Sequence, residues 1–387
     1  MINLNKNFWV NLPGILIVFF LPFSLSIPNI IIPFGIVAIV YKKVSKESFY
    51  FKPIVPFCLF FLAILFSLLL KNILIEDSKM LLRIGLVLIA AVIILNTTKK
   101  LIVKAFILSI NLALALSIFK ILNYIHLNGA LDLSNGEVIY NVLPIERPYF
   151  GFLVLISSLL TFEIFQKNEM NKKLLVSIIL INVLFVFFIA SRLTIITYIL
   201  VFILYFFKYL EMKLTYKAFI LSLILALSFG LLSINGNFMN RLKLDQGIKT
   251  FVDYEPRFVI WPCAVNVLKE DFSKLIIGPL GFESGTNALK VCYSSSIEKL
   301  DKREWYLERG FNAHNQFLGI LIISGIFGLI FFIYFLFQLY KSAENSFVYL
   351  SILLGLSLFF ILECIIYRQL GCYIVGLIIA LVSKKNE

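Results

Sequence analysis

Residues 315–339 read NQFLGILIISGIFGLIFFIYFLFQL, a run of 25 residues without a charged side chain. An α-helix rises 1.5 Å per residue, so about 20 apolar residues cross the roughly 30 Å hydrocarbon core of a bilayer. This run is therefore long enough to span a membrane as a helix. Its length also exceeds that of most buried helices in soluble domains.

The rest of the chain has the same character. Of its 387 residues 60% are hydrophobic and only 15% are charged, and the mean hydropathy is +0.96. Soluble domains have about 45–50% apolar and 25% charged residues. The composition excludes a soluble globular enzyme and predicts an all-α integral membrane protein.

Twelve apolar segments are candidate membrane spans. The second of them is short enough to be a tilted or re-entrant piece, so eleven and twelve spans both stay open. The predicted spans are residues 9–25, 29–41, 53–70, 80–95, 101–125, 149–165, 174–190, 193–207, 218–234, 315–339, 347–366 and 372–382.

The spans divide the chain into three parts. Residues 1–234 contain spans one to nine, 235–313 form one large loop, and 314–387 contain spans ten to twelve. Lysines collect in alternate turns, which the positive-inside rule assigns to the cytoplasm. Both termini are then cytoplasmic and the large loop is periplasmic. The net charge of +13 reflects this topology, and no nucleic-acid partner is predicted.

Arginine is distributed differently from lysine. None of the eight arginines lies in a predicted cytoplasmic loop, and all fall on the outer side or at the outer end of a span. Arginine binds phosphate through two parallel hydrogen bonds, whereas lysine acts as a point charge. The distribution indicates a phosphate or diphosphate ligand at the outer face. The open alternative is that several arginines pair with acidic residues of the large loop, which is expected for Arg241, Arg303 and Arg309. The arginines are Arg83, Arg147, Arg192, Arg241, Arg257, Arg303, Arg309 and Arg368.

The cysteines and histidines limit the chemistry. Cys263 and Cys292 both lie in the large loop, where an oxidising compartment would join them, and two free thiols are the open alternative. With two histidines in the chain and no zinc-ligand spacing, no metal site is predicted. Glycine-rich phosphate loops are also missing from the sequence, so no nucleotide cofactor is expected.

The most informative local pattern is residues 312–328, NAHNQFLGILIISGIFG. If a helix starts here, His314, Gly325 and Gly328 share one stripe, and the two glycines allow a neighbouring helix to approach closely. Asn312 would cap the helix, and His314 would lie on its first turn, where anions are favoured. Two readings of His314 stay open, a general base and an interfacial residue without chemistry.

This pattern resembles the signature His-[Asn/Ser/Gln]-x9-Gly-x-x-[Gly/Thr/Tyr] of the O-antigen ligase family. Members of this family are polytopic glycosyltransferases of the bacterial inner membrane that act at the periplasmic face. The signature is matched at His314, Asn315, Gly325 and Gly328.

Shorter pieces are similar to the same family. They are the Ser191-Arg192 turn, the sequence RFVIW at residues 257–261, GPLG at 278–281 and RPYFG at 147–151. The likeness extends over about residues 174–339. Before that region the chain matches the family mainly in being a series of spans.

The resemblance implies a reaction. A glycan would be transferred from undecaprenyl diphosphate to the lipid A core, with inversion at the anomeric carbon and without a metal ion. The site would face the periplasm, and membrane lipid would surround the protein.

The resemblance and the residue chemistry together suggest roles for individual side chains. His314 would deprotonate or orient the acceptor hydroxyl, while Arg192 and Arg257, with Arg147, would bind the diphosphate. Asn315 would either hydrogen-bond a phosphate oxygen or cap the helix. Five aromatic residues are candidates either for sugar stacking or for an interfacial belt, and two of them, Tyr149 and Trp261, are chosen as substrate-binding residues. The five are Tyr149, Tyr254, Trp261, Trp305 and Tyr306.

Two other functions stay open. An O-antigen polymerase uses the same donor but takes a second carrier-linked glycan as acceptor. Polymerases of this kind often carry Arg-x10-Gly repeats, and Arg147, Arg192 and Arg257 lack a glycine eleven residues later, which favours the ligase. A transporter or flippase is less favoured, because the spans contain few charges and no inverted repeat.

Overall fold

The computed structural model describes residues 6–42, 53–129, 136–168, 171–209, 255–270 and 274–384, together with residues 211, 222 and 230. Within these ranges the chain is helical and contains no strand. Numbered in chain order, the helices are α1 (Lys6–Phe20), α2 (Ser26–Lys42), α3 (Ile54–Leu70), α4 (Ser78–Leu95), α5 (Lys99–Asn128), α6 (Gly136–Val142), α7 (Arg147–Gln166), α8 (Lys172–Phe188), α9 (Arg192–Tyr209), α10 (Arg257–Glu270), α11 (Phe282–Ser296), α12 (Leu300–Arg309), α13 (Gln316–Ala343), α14 (Phe347–Leu362) and α15 (Gln369–Ser383).

The helices agree with a multi-pass membrane protein. Five of them, α4, α5, α7, α9 and α13, are long and apolar enough to cross a bilayer, and α1, α2, α3, α14 and α15 are shorter apolar helices. Each predicted span in the described part of the chain coincides with a helix. Only residues 222 and 230 of the span predicted at 218–234 are described, so the number of spans stays a prediction.

Helix α15 forms the centre of the bundle. Every residue from Leu370 to Ser383 is buried, which is expected for a helix that is apolar on all sides. It packs against α4, where Gly376 faces Ala90 so closely that a methyl group on the glycine would lie 2.9 Å from the alanine Cβ. Helix α7 is likewise buried along most of its length.

One end of the bundle, called here the site end, is where α7, α9, α13 and α15 begin and α14 ends. The arginines of the described part of the chain all lie at this end, whereas lysines occur at both ends. Arginine is therefore concentrated at one end of the molecule, as the sequence predicted. The arginines concerned are Arg83, Arg147, Arg192, Arg257, Arg303, Arg309 and Arg368.

Helix α13 is broken at Gly325, which has φ 63° and ψ −159°. The segment 275–280 enters this break. There the N–H groups of Ile326 and Phe327 donate to the carbonyls of Leu275 and Ile276 at 2.9 and 3.1 Å. The backbone N–H groups that lose their helical hydrogen-bond acceptors at the break thus gain new ones in the inserted segment. Irregular backbone in an apolar environment requires such replacement partners.

Helix α3 completes the hydrogen bonding of this break. Ser67 Oγ lies 2.6 and 2.8 Å from Ile277 O and Ile323 O, so both carbonyls are within reach of its single O–H donor. The Lys71 ammonium, just after α3, donates to Leu280 O and Ile323 O at 2.9 and 2.5 Å. The inserted segment is thereby tied to both α3 and α13.

The two signature glycines do not pack against a neighbouring helix as predicted. A Cβ at Gly325 would lie 2.3 Å from Leu275 O, so this glycine makes room for the inserted segment and supplies the positive φ. A Cβ at Gly328 would meet Ser324 and Ile320, in the preceding turns of the same helix. The sequence pattern was right about close approach but wrong about the partner.

The predicted loop of residues 235–313 packs on the bundle in its described part, and residues 235–254 lie outside the described ranges. Helix α10 contacts α11 and α13. A disulfide joins Cys263 of α10 to Cys292 of α11, with their Cα atoms 5.7 Å apart. Asp77, before α4, accepts from the N–H groups of Phe282 and Glu283 at 2.6 and 3.0 Å and so caps α11 from another part of the chain.

Candidate functional site

A cavity of about 570 Å³ opens at the site end between α7, α9, α10 and α14. We call it the first cavity. Arg147, Arg192 and Arg257 all line it, together with Glu255 and Glu363. The three arginines come from different helices, so the tertiary fold brings together the cations that the sequence had proposed as a clamp.

A tight turn between α8 and α9 positions Arg192. Ala190 has a φ of 49°, and the Ser191 hydroxyl lies 3.0 Å from the Thr194 hydroxyl. Gly151 of α7 allows this turn to approach, because a Cβ there would lie 2.3 Å from Ser191 Oγ. Arg192 is the first residue of α9, and its Nη1 lies 3.6 Å from Glu255 Oε2. Its side chain is 45% exposed, which leaves it accessible to a ligand.

Several contacts hold the guanidinium of Arg257 in place. Its Nε and Nη2 donate to Leu362 O at 3.1 and 3.0 Å, and Nη2 also lies 3.1 Å from Glu363 Oε1. Its Nη1 donates to Glu255. Glu255 therefore bridges Arg192 and Arg257, and the guanidinium of Arg257 is fixed in a single orientation.

His314 differs from the prediction in its place on the helix. Helix α13 begins at Gln316 with Asn315 as its N-cap, since Asn315 Oδ1 accepts from Leu318 N at 3.0 Å. His314 precedes the cap and has a φ of 41°, a left-handed conformation that is uncommon outside glycine. Asn312 Oδ1 accepts from His314 N at 3.0 Å, so Asn312 supports the turn rather than capping the helix.

The side chain of His314 pairs with Glu363. Its Nδ1 lies 2.9 Å from Glu363 Oε2, and a hydrogen on Nδ1 leaves the lone pair of the neutral ring on Nε2. Trp261 of the first cavity donates from Nε1 to His314 O at 3.3 Å. His314 does not itself line the first cavity but adjoins it through Trp261 and Glu363.

The carboxyl of Glu363 is stabilised in its charged form. Burial raises its pKa, but the hydrogen bond and charge of His314, with the charges of Arg257 and Arg368, outweigh burial, so the pKa lies below the ordinary 4.5. Arg368 itself donates from Nη1 to the two carboxylate oxygens of Glu146, at 2.5 and 2.6 Å.

A sequence signal for Glu363 was present. Span 347–366 contains this single acidic residue, and ionisable groups within apolar spans usually mark functional sites. Helix α14 ends at Leu362, four residues before the predicted end of the span, which places Glu363 in the connection to α15.

Trp261 and Tyr149, the two aromatic residues predicted to bind substrate, line different cavities. Trp261 lines the first cavity. Tyr149 is only 2% exposed, packs against Phe359 and contributes to a different cavity. Tyr149 follows Arg147 by two residues on α7, and two residues turn a helix by about 200°. It therefore faces away from the three arginines of the first cavity.

The carboxylates of the first cavity are engaged by cations. Glu255 contacts Arg192 and Arg257, and Glu363 contacts Arg257 and His314. Across the residues that the structure describes, no group of three or more histidine, cysteine or carboxylate side chains is arranged to hold a metal ion. The polar groups present are suited to binding an anion and moving a proton.

A family model described as O-antigen ligase matches residues 175–333. No curated protein matches the chain. The matched region runs from α8 into α13 and includes Arg192, Arg257 and His314. Arg147 and Glu363 lie outside it and join the site only through the fold.

Proposed function

We propose that the chain, whose residues 175–333 match a family model described as O-antigen ligase, is a metal-independent, inverting membrane glycosyltransferase. It would transfer a glycan from undecaprenyl diphosphate to the lipid A core or another acceptor. The reaction would take place at the periplasmic face of the bacterial inner membrane.

The observation that carries this proposal is the first cavity with its three arginines beside the His314–Glu363 pair. A diphosphate leaving group develops negative charge as its bond to the sugar breaks. Guanidinium groups fixed in advance stabilise that charge without reorganising. The Arg257 guanidinium is held by Leu362 O, Glu255 and Glu363, while the Arg192 side chain is more exposed and accessible to the ligand.

The His314–Glu363 pair supports the proton transfer. Nε2 of His314 takes the proton of the acceptor hydroxyl as the acceptor oxygen bonds to the anomeric carbon. The bond from that carbon to the diphosphate breaks on the opposite face, which inverts the configuration, and the electron pair leaves with the diphosphate. Glu363 holds the ring through Nδ1 and stabilises the imidazolium that forms.

Glu255 has a second role in this scheme. Its carboxylate bridges Arg192 and Arg257, the groups proposed to receive the diphosphate. By contacting both side chains, Glu255 fixes the orientation of the two guanidinium groups relative to each other. A diphosphate in the first cavity would compete with this carboxylate for their N–H donors, so Glu255 tunes how tightly the donor is held.

The test measures transfer from a labelled carrier-linked glycan in isolated membranes. His314→Ala should lower the rate by about 10² to 10⁴ while donor binding is kept, because a positioned base contributes that much. His126→Ala is the matched control, since His126 is exposed in the last turn of α5. Near-normal transfer by His314→Ala at equal membrane levels would reject the catalytic assignment.

A second substitution tests the clamp. Arg257→Lys keeps the charge but loses the planar fork that reaches Leu362 O and two carboxylates. Transfer should fall strongly, whereas Arg303→Lys on α12 should have little effect. Equal tolerance of both changes would mean that Arg257 acts only as a general positive charge.

The membrane side of the site is tested by labelling. Single cysteines replace Ser45, in a predicted cytoplasmic turn, and Ser294, exposed on α11, in a chain without its native cysteines. An impermeant reagent applied to the outside should label position 294 alone. Labelling of position 45 would reverse the proposed orientation.

Ligase and polymerase share this donor and site chemistry and differ in the acceptor. Deletion of the gene separates the two. Loss of a ligase leaves polymerised glycan on the lipid carrier, whereas loss of a polymerase leaves single repeats attached to the core. The missing Arg-x10-Gly repeats favour the first result.

A further inference from the structure

A second cavity of about 560 Å³ lies at the site end. It is bounded by the turn between α1 and α2, the outer part of α4, the segment from α6 to the start of α7, and the connection into α15. We propose that this second cavity binds the phosphate group of a membrane amphiphile. Resting on the proposed function, this amphiphile is the acceptor.

The position of Arg83 is the first observation that supports an anionic ligand. This residue lies in the second turn of the apolar helix α4, is exposed, and lines the second cavity. No hydrogen bond or ion pair joins it to another described residue. A charged side chain at such a depth is costly unless it faces a polar cavity or meets a counter-ion, and it usually marks a ligand path.

Arg368 provides a second guanidinium on the same cavity. Glu146 already neutralises it through two hydrogen bonds, at 2.5 and 2.6 Å. With Arg83 added, these three side chains carry a net charge of +1. The excess charge resides on Arg83, whose planar group suits a phosphate.

The remaining walls suit an amphiphile. Leu21, Phe23 and Leu370 provide apolar surface, and the exposed Tyr140 stands at the cavity. The Tyr149 hydroxyl is buried and has no hydrogen-bond partner among the described residues. A buried hydroxyl without a partner is unfavourable, and a ligand oxygen in this cavity would offer it one.

The two cavities share a wall. Glu146 lines the second cavity and the next residue, Arg147, lines the first. Likewise Glu363 lines the first cavity and Arg368 the second, and the charges of these two side chains interact. A transferase needs two substrates that meet at one reaction centre. Cavities on either side of the Glu363 segment give each substrate its own approach.

The experiment detects ligands at each cavity by photo-crosslinking. A benzophenone amino acid replaces Tyr140 at the second cavity or Phe258 at the first, in the full chain held in phosphatidylcholine nanodiscs. The probes are radiolabelled bisphosphorylated lipid A, the same lipid after enzymatic dephosphorylation, and undecaprenyl diphosphate. The two phosphorylated probes distinguish a lipid A acceptor from a carrier-linked one.

At least one phosphorylated probe should be captured at position 140, and dephosphorylated lipid A should not. Arg83→Gln should lower this capture about tenfold, as expected for loss of a charge-assisted hydrogen bond. Arg83→Lys should restore part of it, and capture of undecaprenyl diphosphate at position 258 should be unchanged by either variant. Because Arg83 is exposed, unchanged thermal unfolding should accompany these variants.

Two results would overturn the proposal. One is equal capture of phosphorylated and dephosphorylated lipid A at position 140. The other is an unchanged amount of captured probe at position 140 in Arg83→Gln. Capture at position 140 that persists in His314→Ala would show that binding there does not depend on transfer. Capture that persists although the wild-type protein shows no detectable transfer would uphold the second cavity and reject only the proposed function.

Discussion

Replacing Glu363 by glutamine tests how His314 is positioned. The substitution keeps the size and planarity of the side chain but removes the negative charge. In the native protein this carboxylate lies 2.9 Å from His314 Nδ1 and 3.1 Å from Arg257 Nη2. The change therefore leaves room for both contacts while it weakens the stabilisation of a charged imidazole.

The size of the effect follows from the charges and their exposure. Two unit charges about 4 Å apart interact by about 4 kcal/mol at an effective dielectric constant of about 20. The two side chains are 16% and 14% exposed, so some solvent screening reduces this energy. A loss of about 2–3 kcal/mol in the transition state corresponds to a rate about 30 to 150 times lower.

The assay is the transfer rate at saturating donor, with Glu304→Gln on the exposed face of α12 as the matched control. If Glu363 acts through His314, Glu363→Gln should cause little further loss in a His314→Ala background. Two results would refute the reasoning. They are an unchanged rate in the single variant, or a full additional loss in the double variant, which would assign the effect to Arg257.

The lowered pKa of Glu363 leads us to expect that the stability of the protein depends on pH. The pKa of Glu363 is lower in the folded protein than its ordinary 4.5, so the folded state favours the carboxylate. Its stabilising contribution is fully present above the unfolded pKa and is lost as the pH falls through the folded pKa. The stability difference between wild type and Glu363→Gln should be constant above about pH 5.5 and should shrink towards pH 3.

Two further predictions concern the scaffold. Gly325→Ala should destabilise the protein by about 3 kcal/mol or more, because the residue has a positive φ and its Cβ would lie 2.3 Å from a carbonyl oxygen. The effect is measured by thermal unfolding. Gly85→Ala is the control, because the atom nearest to its Cβ would be 3.4 Å away. The bond between Cys263 and Cys292 closes a loop with a sequence separation of 29 and should contribute about 3–4 kcal/mol. Mass spectrometry of membranes under non-reducing conditions should find the two peptides joined, and recovery of both as free thiols would contradict this.

The sequence was most informative about properties that are local. Each predicted span in the described ranges coincides with a helix, because the free energy of transfer to the membrane is summed over neighbouring residues. The break in α13 was missed for the opposite reason. It requires residues 275–280 to lie beside Gly325, and a periodic pattern within one segment contains no information about another.

The candidate site shows the same division. Arg192, Arg257 and His314 could be chosen from residue chemistry and a short signature. Their neighbours could not be chosen in this way. Glu363 joins His314 only because α14 ends beside α13, and Tyr149 turns away from the clamp because of its rotation on α7.

The sequence by itself determined the class of the protein, its helical segments and the chemical groups available for a phosphate-bearing substrate. These follow from side-chain polarity and identity, which are properties of each residue. Only the tertiary structure decided that Arg147, Arg192 and Arg257 line one cavity and that Glu363 engages His314. Such contacts depend on the distances between segments far apart in the chain, and those distances are set by the packing of the whole bundle.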